Sequence, residues 1–165
     1  GKEKNKHANK RTGGTQGRST KTKTPVLGMV ERGGNVKAFK IKTVSGEEVD
    51  VIIRKNVMPG SEIITDEYHS YDKIGSGLYA HSSINHSRNE YVRGNVHTNT
   101  IEVEWALFKR GIYGIYHHIS EKHLQRYLDE FVARCNTRSL REHERVNDLL
   151  KSVSGLRLTY KELIG

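Results

Sequence analysis

The sequence predicts an α/β layered domain, a small sheet covered by helices. Three observations carry that prediction. β-rich runs occupy residues 26–31, 35–41, 61–65 and 78–84. One helix-compatible stretch separates the second run from the third. From residue 98 onward the apolar positions recur with helical period.

Each element has its own warrant. The runs 26–31 and 35–41 meet at Gly33-Gly34, a turn signal that predicts a β-hairpin. "SGEEVDVIIRKNV" predicts a helix, with Ser45 as its cap and Glu47 and Glu48 in its first turn. Pro59-Gly60 marks a turn, and "SEIIT" a short buried strand that ends at Asp66. A short helix or turn over 67–74 and a strand over 78–84 come next. Residues 98–110 predict a helix whose stripe is Ile101, Trp105, Phe108 and Ile112; Gly111 and Gly114 are expected to break it. Ser120 is placed to cap a second long helix, buried along Leu124, Tyr127, Leu128, Phe131, Val132 and Cys135. Residues 142–152 suit a last helix.

Charge divides the chain. Residues 1–24 hold eight of the 28 Lys/Arg and one of the 19 Asp/Glu, so +7 of the net +9 sits there. Such a segment has little apolar surface to bury and is expected to be a flexible arm. Lys2, Lys4, Lys6, Lys10 and Arg11 within it suit a polyanionic partner, nucleic acid above all, and equally a solubilising tail. The organisation read from this is a basic arm over 1–24, a core over 25–140 and a helical extension over 141–165. The single cysteine, Cys135, excludes a disulfide framework and a Cys-rich zinc site within the chain; its place on an apolar stripe predicts packing. No apolar run approaches the roughly 18 residues of a membrane span. A soluble, cytoplasmic protein is expected.

The carboxylates are the chemically suggestive residues. Asp66 ends a strand, where ligands collect in open α/β sheets, and it also suits a helix cap. At about 100° per residue, Glu102 and Lys109 fall on one boundary row of their helix and Glu104 on the opposite rim. Glu102 has no opposite charge at i±3 or i±4, so the usual surface ion pair is missing. Thirty-five residues separate Asp66 from Glu102, and Lys109 lies seven after the glutamate. A strand-end Asp and a helix-borne Glu together suit Mg²⁺, which takes oxygen ligands and leaves positions for water and phosphate. Lys109 and Arg110 would then contact the phosphate backbone. A solvated rim accounts for Glu102 equally well, and Glu104 reads as a rim residue without chemistry. The nine histidines show no zinc-helix spacing, and His117 and His118 suit either a loop or contact with DNA.

"TDEYHSYDKI", "NHSRNEYVRGNVHTNTIEVEWALFKRGIYGIYHHIS" and "KHLQRYLDEFVARCNTR" resemble the transposases of bacterial insertion sequences. The branch is the family numbered fifteen-ninety-five, within the superfamily that uses two Asp and a Glu or Asn. The resemblance spans residues 25–140. It implies a ribonuclease-H-like fold, a mixed five-stranded sheet with helices on both faces. It implies Mg²⁺- or Mn²⁺-dependent strand cleavage by water, then attack of the freed 3′-hydroxyl on target DNA. It makes Asp66 the second catalytic Asp, Glu102 the third acidic ligand, Asn99 the alternative or supporting ligand, and Lys109 a contact near the scissile phosphate. It also implies a homo-oligomer bound to transposon ends and target, in a bacterial cytoplasm and associated with the nucleoid.

The sequence departs from the family at its start. The family's first Asp lies on a first strand, just before a Gly-Gly and a basic stretch. Here "GKEKNKH" matches the segment just after that strand, so the core is expected to lack strand one and to be inactive alone. Asp50, in a predicted helix, is no substitute. The competing readings are a non-catalytic nucleic-acid-binding module and a ribonuclease-H-like nuclease.

Overall fold

The computed structural model describes residues 7–10, 23–71, 74 and 77–164. Strands β1 (Val26–Val30) and β2 (Val36–Lys40) pair antiparallel, Leu27 opposite Phe39. Helix α1 (Gly46–Asn56) comes next, and strands β3 (Glu62–Asp66) and β4 (Ala80–Ile84) pair parallel, Asp66 opposite Ile84. Helices α2 (Asn99–Gly111), α3 (Leu124–Asn136), α4 (Glu142–Val153) and α5 (Tyr160–Ile164) complete the chain. In place of the five-stranded sheet implied by resemblance, the described residues form four strands in two separate pairs.

The hairpin separates two apolar cores, as the period-two alternation of a strand requires. Leu27 joins Val49 and Ile53 of α1, with Met29, Phe39 and Ile63 packed beside them. Ala38 joins Phe108, Leu124 and Leu128, with Val26, Trp105 and Phe131 alongside. Helices therefore cover both faces of the hairpin, and α1 reaches both strand pairs. Ser45 caps α1 as expected, its Oγ accepting from the Glu48 N–H at 3.3 Å. The Glu48 carboxylate in turn accepts from the Lys42 and Thr43 N–H groups, which holds its pKa below the usual carboxylate value.

Two contacts dock the later helices. Gly28 lets α2 approach β1: a Cβ there would lie 2.3 Å from Trp105 Cζ2. Two amides of α3 satisfy the outer edge of β2. Asn136 accepts from the Val36 N–H (2.7 Å) and donates to its carbonyl (3.0 Å). Gln125 accepts from the Lys40 N–H (2.7 Å) and donates to the Ala38 carbonyl (3.1 Å). A strand edge that would otherwise offer open hydrogen-bonding groups is thus closed by side chains.

The short helix or turn expected over 67–74 is present as a 3-10 turn, His69–Tyr71. Three local expectations need correction. The hairpin turns through residues 31–35, closed by Gly34 N–H to Glu31 O (3.0 Å) with Gly33 at φ +70°, and not through two residues alone. Gly111 does not break α2, which runs on as a π-helical turn, Ile112–Tyr116. Ser120 makes no side-chain cap, and a 3-10 turn, Glu121–His123, leads into α3.

Candidate nucleic-acid and metal site

Parallel pairing brings the ends of β3 and β4 level, so Asp66 stands beside Ile84. Asp66 Oδ1 accepts from the Tyr68 N–H at 3.2 Å, an Asx-type cap of the next turn. Its carboxylate also bears on Tyr71: burial first, and then this negative charge, push the phenol up to about 12. The next residue, Glu67, crosses to the segment after β4. Its Oε2 accepts from the His86 N–H (3.0 Å) and its Oε1 from the Ser87 hydroxyl (2.9 Å).

His86 continues the connection to α2. Its Nε2 lies 3.1 Å from Thr98 Oγ1 and 3.3 Å from Glu102 Oε1. Thr98, buried before the first turn of α2, donates its hydroxyl to the same Glu102 oxygen at 2.9 Å. Glu102 is thereby held at one oxygen by two neighbours while more than half its side chain stays exposed. The strand end carrying Asp66 and the helix carrying Glu102 are tied through Glu67 and His86. Asn99 is exposed in the first turn of α2, and Lys109 and Arg110 are exposed in its last.

Glu104 corrects the reading of a rim residue. It is buried, and its Oε2 accepts from Cys135 Sγ of α3 at 3.2 Å. Three residues after Ile101 and four before Phe108, it lies inside the buried face and not at its edge. Burial, and then the Glu104 contact, raise the Cys135 thiol to about 12, so Cys135 packs as expected and stays protonated.

Sequence reasoning missed His86, Glu67 and Thr98. Thr98 was detectable, since it precedes Glu102 by four residues. His86 and Glu67 were not, because they meet α2 only through strand pairing. His117 and His118 are exposed after the π turn, and His117 adopts φ +56°. Lys10 closes a 3-10 turn, Ala8–Lys10. Lys2, Lys4, Lys6 and Arg11 lie outside the described residues. Among the described residues no three His, Cys, Asp or Glu gather in a group that could hold a metal ion. Asp66 and Glu102 supply the hard oxygen donors that suit magnesium, but not a full set. Among the described residues no helix is long and apolar enough to cross a membrane.

By its family match, the class of protein is the transposases of insertion elements. The chain belongs to the ISXO2-like transposase domain family, whose model matches residues 1–136. It is 26% identical over 138 residues to an uncharacterized protein in transposable element ISH50 of Halobacterium salinarum. That match covers 81% of this chain and 47% of the relative, so the chain spans about half of that protein's length. It is 31% identical over 90 residues to an uncharacterized transposase-like protein of Haemophilus influenzae, covering 54% of this chain and 72% of the relative. No solved structure matches the chain.

Proposed function

We propose that this chain forms a ribonuclease-H-like transposase core that cleaves DNA ends and joins them to a target. The observation that carries this reading is the tie between the Asp66 strand end and Glu102 through Glu67 and His86. The sheet supports it in a second way. An antiparallel pair and a parallel pair share α1, and each pair ends in an edge strand. Antiparallel and parallel pairing packed on one helix are the two strand directions that a mixed sheet combines.

Asp66 and Glu102 are the residues that would hold Mg²⁺ or Mn²⁺, with Asn99 as a supporting ligand at the helix start. When bound, the metal supplies an activated water and neutralises charge at a phosphodiester. Thr98 and His86 fix one Glu102 oxygen, and more than half of the side chain stays exposed. Lys109 and Arg110 on the exposed end of α2 hold the DNA backbone. His117, His118 and the arm bases Lys2, Lys4, Lys6, Lys10 and Arg11 extend that contact.

The test is metal-dependent nicking of element-end DNA by the transposase as its element encodes it. Asp66→Asn and Glu102→Gln should each lower the rate by about 10³-fold or more, on the scale of charge-stabilising groups. Lys109→Gln should weaken binding and reduce the salt slope by about 0.9. Undiminished nicking by either carboxylate variant would remove these assignments. The lack of a three-ligand group among the described residues favours a second reading, a nucleic-acid-binding module without catalysis. That reading predicts metal-independent binding dominated by the arm, with no nicking.

A further inference from the structure

Among the described residues, the apolar face of helix α4 is left uncovered. Val146, Leu149, Leu150 and Val153 recur at i, i+3, i+4 and i+7, one stripe of the helix. They are 55, 60, 60 and 49% exposed, and α4 buries no residue. The side chain of Arg145 reaches back only to Thr137, Nε to Oγ1 at 3.3 Å. Leu156 and Leu158, just beyond the helix in sequence, are also exposed, at 74 and 63%. A stripe of exposed apolar side chains on one helix face is the kind of surface that marks an interaction site.

The chemistry of the face selects its occupant. Along α4, the three acids Glu142, Glu144 and Asp148 outnumber the two bases Arg145 and Lys151, so the helix lacks the basic surplus that nucleic acid or an anionic lipid surface requires. An apolar stripe on a nearly neutral helix suits another protein helix. Its spacing is also a palindrome, Val-x-x-Leu-Leu-x-x-Val. A two-fold interface needs residue i opposite j wherever j is opposite i. Run antiparallel about the midpoint of Leu149 and Leu150, two copies set Val146 against Val153 and Leu149 against Leu150 throughout. Arg145 then meets Ser154, so no like charges oppose one another.

We infer that α4 is a self-association helix that pairs two copies of this chain antiparallel about a two-fold axis at Leu149 and Leu150. The pairing depends on the α4 face alone and stands apart from the DNA-cleavage reading. Sedimentation equilibrium of the 165-residue chain at micromolar concentration should give a dimer. Leu149→Glu with Leu150→Glu should weaken it by about 100-fold or more, as loss of central anchors does. Because these side chains are exposed, circular dichroism of the variant should match the parent. Single cysteines test the geometry. Leu149→Cys, beside the axis, should form a disulfide across the dimer on mild oxidation. Val146→Cys should not, since antiparallel copies set the two positions about seven residues, or 10 Å, apart along the axis. A monomeric parent, or a dimer indifferent to the double glutamate, overturns the proposal. Equal cross-linking at both positions overturns the antiparallel pairing.

Discussion

Asn136 offers a sharp test of how the helical layer is fixed to the hairpin. Its amide makes two hydrogen bonds to one residue, Val36, which is only 2% exposed. Truncation in Asn136→Ala strands one backbone donor and one acceptor where water does not readily reach. Each buried unsatisfied group costs about 1–3 kcal/mol, and partial entry of water at a strand edge favours the lower half. A loss of about 2–4 kcal/mol is expected, a large part of the roughly 5–15 kcal/mol of a typical domain. Urea denaturation monitored by Trp105 fluorescence measures it, and the midpoint should fall without a change in slope. Asn136→Asp separates the two bonds. The carboxylate keeps the acceptor but opposes the Val36 carbonyl, and part of the loss should return below about pH 4, where the protonated acid can donate again. Gln125→Ala should add to Asn136→Ala nearly independently, since the two sit 11 positions apart on α3, about 16 Å along the helix. A loss under about 0.5 kcal/mol for Asn136→Ala would refute the view that this amide closes the β2 edge.

Two further outcomes are expected from the packing of single residues. Gly28→Ala places a methyl 2.3 Å from Trp105 Cζ2, so α2 must shift or the ring must turn, at about 1–3 kcal/mol. The emission of the single tryptophan reports it, and unchanged emission with parental stability would count against the close approach. Tyr71, raised to about 12 by burial and by Asp66, keeps in the folded state a proton that the unfolded chain loses near its ordinary value of 10.0. The unfolded state then binds fewer protons, so stability is present below pH 10 and falls between about pH 10 and 12, by up to roughly 2 kcal/mol. Tyr71→Phe should flatten that fall in urea melts; an identical alkaline slope in the variant would dismiss Tyr71 as its source.

The site shows where reading a chain residue by residue stops. Asp66 as the end of a strand, and Glu102 with Lys109 along one side of a helix, emerge from local pattern alone. The groups that hold Glu102 do not. His86 reaches it from 16 residues upstream in sequence, because parallel pairing sets Asp66 beside Ile84 and so places the loop after β4 against α2. No periodicity encodes that approach. The carry-through of α2 past Gly111 was likewise invisible, since glycine weakens a helix without forbidding one where packing on Tyr127 and Glu130 holds Tyr116 in place.

The sequence by itself determined the hairpin, the capped helix α1, the strand that ends at Asp66 and the three long later helices, because backbone propensity and apolar period are local properties. It also determined the concentration of positive charge in the first 24 residues. Only the tertiary structure decided which glutamate of α2 is buried. Trp105 lies against Gly28 and Cys135 meets Glu104 across two helices, and these contacts set how α2 is rolled on the hairpin. That roll buries Glu104 and leaves Glu102 outward, held by Thr98 and His86. The direction in which a helix is rolled depends on partners far along the chain, and its own stripe leaves it open by the width of a side chain.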